Sequence, residues 1–122
     1  MKSIMQNCKE CYICRKLVGA GMPLPGTGLE EHHVFGGTAN RRLSERYGLK
    51  VWLCHAHHNE PPEGVHHNKA VMQILHEEGQ LAFERSHPNL NFREIFGANY
   101  RNVQYQVKHS TWCYATRTIK SM

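Results

Sequence analysis

Residues 68–87, NKAVMQILHEEGQLAFERSH, place Val71, Ile74 and Leu75, then Leu81, Ala82 and Phe83, at helical spacings with charge between them. Pro88 closes the run, so the pattern predicts a helix here. Gly79 inside it costs about 1 kcal/mol relative to alanine, which makes this helix dependent on packing rather than propensity. Upstream, the apolar positions come in short pieces bounded by glycine. Glu31-His32-His33-Val34-Phe35 and Lys50-Val51-Trp52-Leu53 suit two strands. Between them, residues 40–48, NRRLSERYG, suit a helical turn with its charges outward. After Pro88 the amphipathic piece NFREIFG is expected to pack on the long helix. In residues 99–122 the alternation of Val103, Tyr105 and Val107 suits an edge strand or a loosely ordered tail. The chain changes character near Asn68, and at 122 residues it reads as one α+β domain: 1–67 rich in His, Cys, Gly and Pro, 68–98 helical, 99–122 a tail.

Composition changes this picture at one point. The chain is 40% hydrophobic and 20% charged, ordinary for a globular domain, but it carries ten histidines. Five of them fall in residues 51–69, VWLCHAHHNEPPEGVHHNK. No apolar run approaches the roughly 18 residues that span a bilayer, and MKSIMQNCKECYICRK lacks the apolar region of a signal peptide. The expectation is a soluble, cytoplasmic protein. In such a compartment five cysteines (Cys8, Cys11, Cys14, Cys54, Cys113), an odd count, read as metal ligands rather than a disulfide framework. Fifteen Lys plus Arg against ten Asp plus Glu give a net charge of +5, which favours a polyanionic partner such as DNA.

Cys11-Tyr-Ile-Cys14 is a C-x2-C pair whose sulfurs reach one tetrahedral ion from a tight turn, and Cys54-His-Ala-His57 supplies a second pair of the same spacing. Together they predict a Cys3His zinc site. Cys8 is a rival ligand, since Cys8-x2-Cys11 has the same spacing; Cys14 is preferred because Cys11 and Cys14 enclose the apolar Tyr12-Ile13 as a knuckle would. Residues 15–53 lie between the two halves, long enough to carry a function of their own.

A C-x2-C knuckle, a strand bearing His-His, a second strand ending in Leu-Cys-x2-His-His and then helix resembles the HNH endonucleases, the ββα-metal nucleases. The resemblance covers about half of the chain, from Cys11 to Asn68. It implies that His33 is the general base, that His32 and His58 hold a catalytic divalent ion, and that Cys11, Cys14, Cys54 and His57 are the structural zinc ligands of one branch of the family. HHVFGG, NRRLSERYGL, VWLCHAHHN, GVHHN and FGANY look like small HNH-type proteins of bacteriophages and prophages. That context implies a phage or host recombination or packaging protein as a candidate partner.

The chain departs from the family pattern in two places. Leu49 stands where the family commonly has its middle Asn, and Asn40 is the nearest substitute. The family helix usually continues from the last histidine, whereas Asn59-Glu60-Pro61-Pro62 interrupts it here. His66 or His67, just before the long helix, then becomes available to fold back as an additional ligand of the ion. The imidazoles of residues 51–69 accordingly divide between zinc (His57), the catalytic ion (His58, His66) and surface (His55, His67), while His76, His87 and His109 read as solvated.

The chemistry is consistent on physical grounds. Phosphodiester hydrolysis needs a base near neutral pH and a cation where negative charge grows, which an imidazole and a divalent ion provide. The imidazole-rich set suits Mn, Ni, Co or Zn, while Mg prefers oxygen. Successive strand residues face opposite sides, so His32 and His33 cooperate only if a twist or bulge intervenes. Arg41, Arg42, Arg46 and Lys50 are placed to contact DNA phosphates, the alternative being a solvated face. The rival to a DNA-cleaving enzyme is a catalytically silent zinc module that binds nucleic acid or a protein.

Overall fold

The computed structural model describes residues 1–101. They run in the order α1 (Tyr12–Val18), β1 (Leu29–His33), α2 (Thr38–Tyr47), β2 (Lys50–Cys54), α3 (His55–Asn59), a 3-10 turn at Val65–His67, α4 (Lys69–Ser86) and α5 (Phe92–Phe96). Helices with a two-stranded antiparallel sheet make a small α+β fold, as the apolar pattern predicts. The candidate edge strand around Val103, Tyr105 and Val107, with His109 and Cys113, lies outside the described residues. No helix among the described residues is long and apolar enough to cross a membrane.

The ladder runs without interruption from Leu29 opposite Cys54 to His33 opposite Lys50. On β2 the alternation is plain, with Val51 and Leu53 buried between more exposed neighbours. β1 starts and ends two residues earlier than the expected 31–35. Val34 and Phe35, apolar and so expected in the strand, lie beyond it in the core, Val34 keeping one bond to β2's side through its N–H to Leu49 O at 3.0 Å. Phe35 finds its backbone partners in a side chain: Ser44 Oγ accepts from Phe35 N at 3.1 Å and donates to Phe35 O at 3.0 Å. A buried serine on α2 thereby satisfies both backbone groups, which a neighbouring strand would otherwise have to do.

α1 was not visible in the pattern. Ile13 is its only buried residue and Leu17 is 72% exposed, so it has no apolar stripe to betray it. What organises it is Cys11, whose Sγ caps the first turn by accepting from Cys14 N, and Gly19, which ends it at φ 77°.

α4 forms where predicted, capped by Asn68 Oδ1 accepting from Val71 N at 3.1 Å. Gly79 has a packing reason. A Cβ there would lie 3.0 Å from both Phe35 Cε2 and Val34 Cγ1, so its absence lets the chain after β1 lie directly on the helix. α5 adds Phe92 and Phe96, which stack on each other at 4.5 Å and close the core around Phe35 and Phe83. Overpacking at about 1–3 kcal/mol works against a helix-propensity gain of about 1 kcal/mol, so Gly79→Ala should destabilise the protein by up to about 2 kcal/mol net. Urea denaturation checks this, and a midpoint at or above that of the wild type would refute it.

Candidate metal centres

α1, β2 and α3 meet at the first centre. Cys11 caps α1, Cys14 lies in its first turn, Cys54 is the last residue of β2, and His57 follows on α3. His57 Nδ1 lies 3.6 Å from Cys11 Sγ, 3.4 Å from Cys14 Sγ and 3.3 Å from Cys54 Sγ, and the Cys14 and Cys54 sulfurs are 4.0 Å apart. Tetrahedral zinc with sulfur and nitrogen ligands gives edges of about 3.5–3.8 Å, so the four donors fit one ion. Burial, then the neighbouring Cys11 and Cys54, pushes the Cys14 thiol up to about 12. Adjacent thiolates repel one another unless a cation sits between them, which is the electrostatic condition of a metal-thiolate site. The cluster can hold a metal ion such as zinc. Cys8, the rival ligand, is exposed and outside it.

The second centre gathers three imidazoles from three elements: His32 on β1, His58 on α3 and His66 on the 3-10 turn. Ring centroids are 5.2 Å apart for His32 with each partner and 4.8 Å for His58 with His66. His58 Nε2 and His66 Nε2 approach to 3.1 Å. Nitrogens bound to one tetrahedral ion at about 2.0–2.1 Å lie roughly 3.3 Å apart. His32 is 5% exposed, and its Nε2 is a buried polar atom without a hydrogen-bond partner. Such an orphan costs about 1–3 kcal/mol unless something accepts its lone pair or proton. Burial first, then the charges of His58 and His66, holds the His32 pKa down to about 3. The ring is thus neutral near pH 7, the form that binds a cation.

His66 reaches this centre because residues 60–64 close tightly. Gly64 N donates to Glu60 O at 2.6 Å, and a Cβ on the buried Gly64 would sit 2.7 Å from the backbone of Glu60. His67 stays exposed.

Glu30 escaped the sequence reading. Its Oε1 lies 2.7 Å from His58 Nδ1 and its Oε2 lies 3.0 Å from His55 Nδ1. The hydrogen bonds from His58 and then His55 lower its pKa. The available signal was an acid two residues before a strand histidine, hence on the same face.

His33 is held elsewhere. No bulge interrupts the ladder at His32 and His33, so the two rings leave β1 on opposite faces. His33 Nε2 instead lies 2.8 Å from Glu45 Oε1 on α2. Lys50 Nζ donates to both Glu45 oxygens at 3.0 Å and lies 3.2 Å from Glu31. Hydrogen bonds from His33 and then Lys50 bring the Glu45 carboxyl down to about 2. Glu31, His33 and Glu45 are close enough to suggest a third metal group, but the Lys50 ammonium already pairs with both carboxylates and the Met1 amino group lies 3.0 Å from Glu45 Oε2.

Other expected positions also move. Lys50, read as a phosphate contact, is in these ion pairs, whereas Arg41, Arg42 and Arg46 are exposed on α2, with Arg46 5.7 Å over the Tyr47 ring. Asn40 stands apart from both centres: its Nδ2 donates to Phe96 O at 3.2 Å and ties α2 to α5. The tether across the loop after β1 is Ser44. His76 is not solvated but stacks on Phe35 at 5.1 Å, and burial lowers its pKa. His87 packs half-buried against Tyr47 and Phe83. Comparison with family models, with curated proteins and with solved structures finds no match.

Proposed function

We propose that this chain is a metal-dependent endonuclease of the HNH type that hydrolyses DNA phosphodiesters. The observation that carries the reading is the convergence of His32, His58 and His66, with His32 Nε2 buried and unpartnered, beside a separate Cys3His cluster. One cluster is then structural, holding zinc through Cys11, Cys14, Cys54 and His57. In the other, His32, His58 and His66 hold a divalent ion, which when bound supplies positive charge for the scissile phosphate and the leaving oxygen.

In this reading His33 takes the proton of the attacking water on Nδ1, because Glu45 engages Nε2. The water oxygen bonds to phosphorus, the P–O3′ bond breaks with its electron pair on O3′, which takes a proton from solvent water, and 5′-phosphate and 3′-hydroxyl ends remain. An in-line displacement puts the attacking and leaving oxygens on opposite sides of phosphorus. Base and cation therefore need to flank the phosphate rather than share one pocket. A phosphate seated on the outer edge of β1, the edge β2 leaves open, would lie between the two faces that carry His32 and His33. Arg41, Arg42 and Arg46 on α2 would track the DNA backbone.

One observation favours the rival, a silent zinc module that binds nucleic acid: His33 is hydrogen-bonded to Glu45 on the face away from the three imidazoles. Supercoiled-plasmid nicking with Mg, Mn, Ni, Co and Zn, alongside duplex binding titrated with salt, separates the two. Nicking with at least one ion is expected. Binding should weaken steeply with salt, and neutralising Arg41 and Arg42 together should lower the salt slope by up to about 2. Normal binding without nicking under any ion would transfer the assignment to the silent module.

A further inference from the structure

Two residues before His32, on the same face of β1, Glu30 reaches across to α3. Its Oε1 meets His58 Nδ1 at 2.7 Å and accepts from Asn59 Nδ2 at 3.2 Å, while its Oε2 meets His55 Nδ1 at 3.0 Å. A carboxylate only accepts, so His58 must carry its hydrogen on Nδ1. The ring's lone pair then falls on Nε2, the atom 3.1 Å from His66 Nε2. His55 and His58 are three residues apart on α3, hence neighbours on one helix face, and each engages one oxygen of the same carboxylate. Glu30 is thereby clamped at both ends and cannot turn away from His58 without losing its other partner.

We infer that Glu30 is a positioning residue which fixes the His58 tautomer and aims its Nε2 into the three-histidine centre, raising that centre's hold on a divalent cation. The inference rests on the proposed role of His32, His58 and His66 as ligands. A carboxylate behind a metal-binding imidazole fixes the ring and makes it a better donor, and removing such a partner typically weakens metal binding 10- to 100-fold. Glu30 acts only through His58, so its loss should leave the Cys3His cluster untouched.

The test is zinc binding by the full chain, measured by competition against chelators of graded affinity, for wild type, Glu30→Gln and Glu30→Ala. Wild type should take two ions of different affinity. Glu30→Ala should hold the tighter ion unchanged and the weaker one about 10- to 100-fold less tightly. Glu30→Gln, which keeps an accepting oxygen without the charge, should lose less. If Glu30→Ala fails to fold, the Gln variant carries the comparison. With the weaker ion removed, the 15N shifts of His58 should report the Nδ1-protonated form in wild type and a mixture in Glu30→Ala. A wild type that takes only one ion overturns the three-histidine centre and this role together. Two ions in every protein, the weaker held equally tightly, or an unchanged His58 tautomer, overturns the role of Glu30 alone.

Discussion

Replacing Cys54 with alanine should cost the protein the zinc proposed for the Cys3His cluster and with it the fold of the N-terminal half. Cys54 ends β2, and its Sγ lies 3.3 Å from His57 Nδ1 and 4.0 Å from Cys14 Sγ, so a single ion there would join α1, the sheet and α3. Closed sites of this kind hold zinc by about 10–16 kcal/mol, comparable to the whole stability of a small domain at about 5–15 kcal/mol. Besides the metal, α1 is tied to α4 through Glu78, which accepts from the Tyr12 hydroxyl and pairs with Lys16 Nζ at 2.6 Å, but its own apolar burial is small. It is seven residues long, buries only Ile13, and leaves Leu17 and Val18 exposed. A helix this short is marginal in water without tertiary support. Cys8→Ala is the matched control, because Cys8 is exposed and outside the cluster. Zinc content per chain and thermal melting decide the matter. Wild-type values in Cys54→Ala would remove the metal from the structural account.

The ligand spacings were legible because a chelating pair is local: C-x2-C and C-x2-H place two donors on one turn wherever the turn lies. α4 was legible for a similar reason, its apolar positions repeating at helical spacing through Val71, Leu75 and Phe83. What the sequence concealed depends on distant partners. Glu30 meets His58 only because α3 folds back beside β1, and Glu45 meets His33 only because α2 docks its last turn against that strand. Asn40 looked like a tether from its place in the chain, yet its amide reaches Phe96, 56 residues away. His76 looked like a solvated helix residue, and only the inward turn of Phe35 gives it a ring to stack on. The strand bounds slipped by two residues for the same cause: Val34 and Phe35 are apolar for the core, and Ser44 supplies the backbone partners of Phe35, while Val34 N donates to Leu49 O at 3.0 Å.

Replacing His33 and His58 in turn should separate base from ligand. His33→Ala removes a ring that touches Glu45 and no member of the three-imidazole cluster, while Lys50 keeps both Glu45 oxygens engaged. Fold and metal content should survive. Plasmid cleavage should fall by about 10²- to 10⁴-fold, the usual share of a positioned base. His58→Ala removes a nitrogen from the cluster and leaves Glu30 to His55 and Asn59. The weaker ion should be lost at ordinary concentrations, and cleavage should recover in part as Mn or Ni is raised, because mass action refills a weakened site. Duplex binding should be unchanged in both variants, since its electrostatic component comes from lysine and arginine. The two patterns differ on one axis: added metal helps the His58 variant and does nothing for the His33 variant. A His33→Ala protein that cleaves at the wild-type rate would strip His33 of the base role, and one rescued by metal would place it among the ligands.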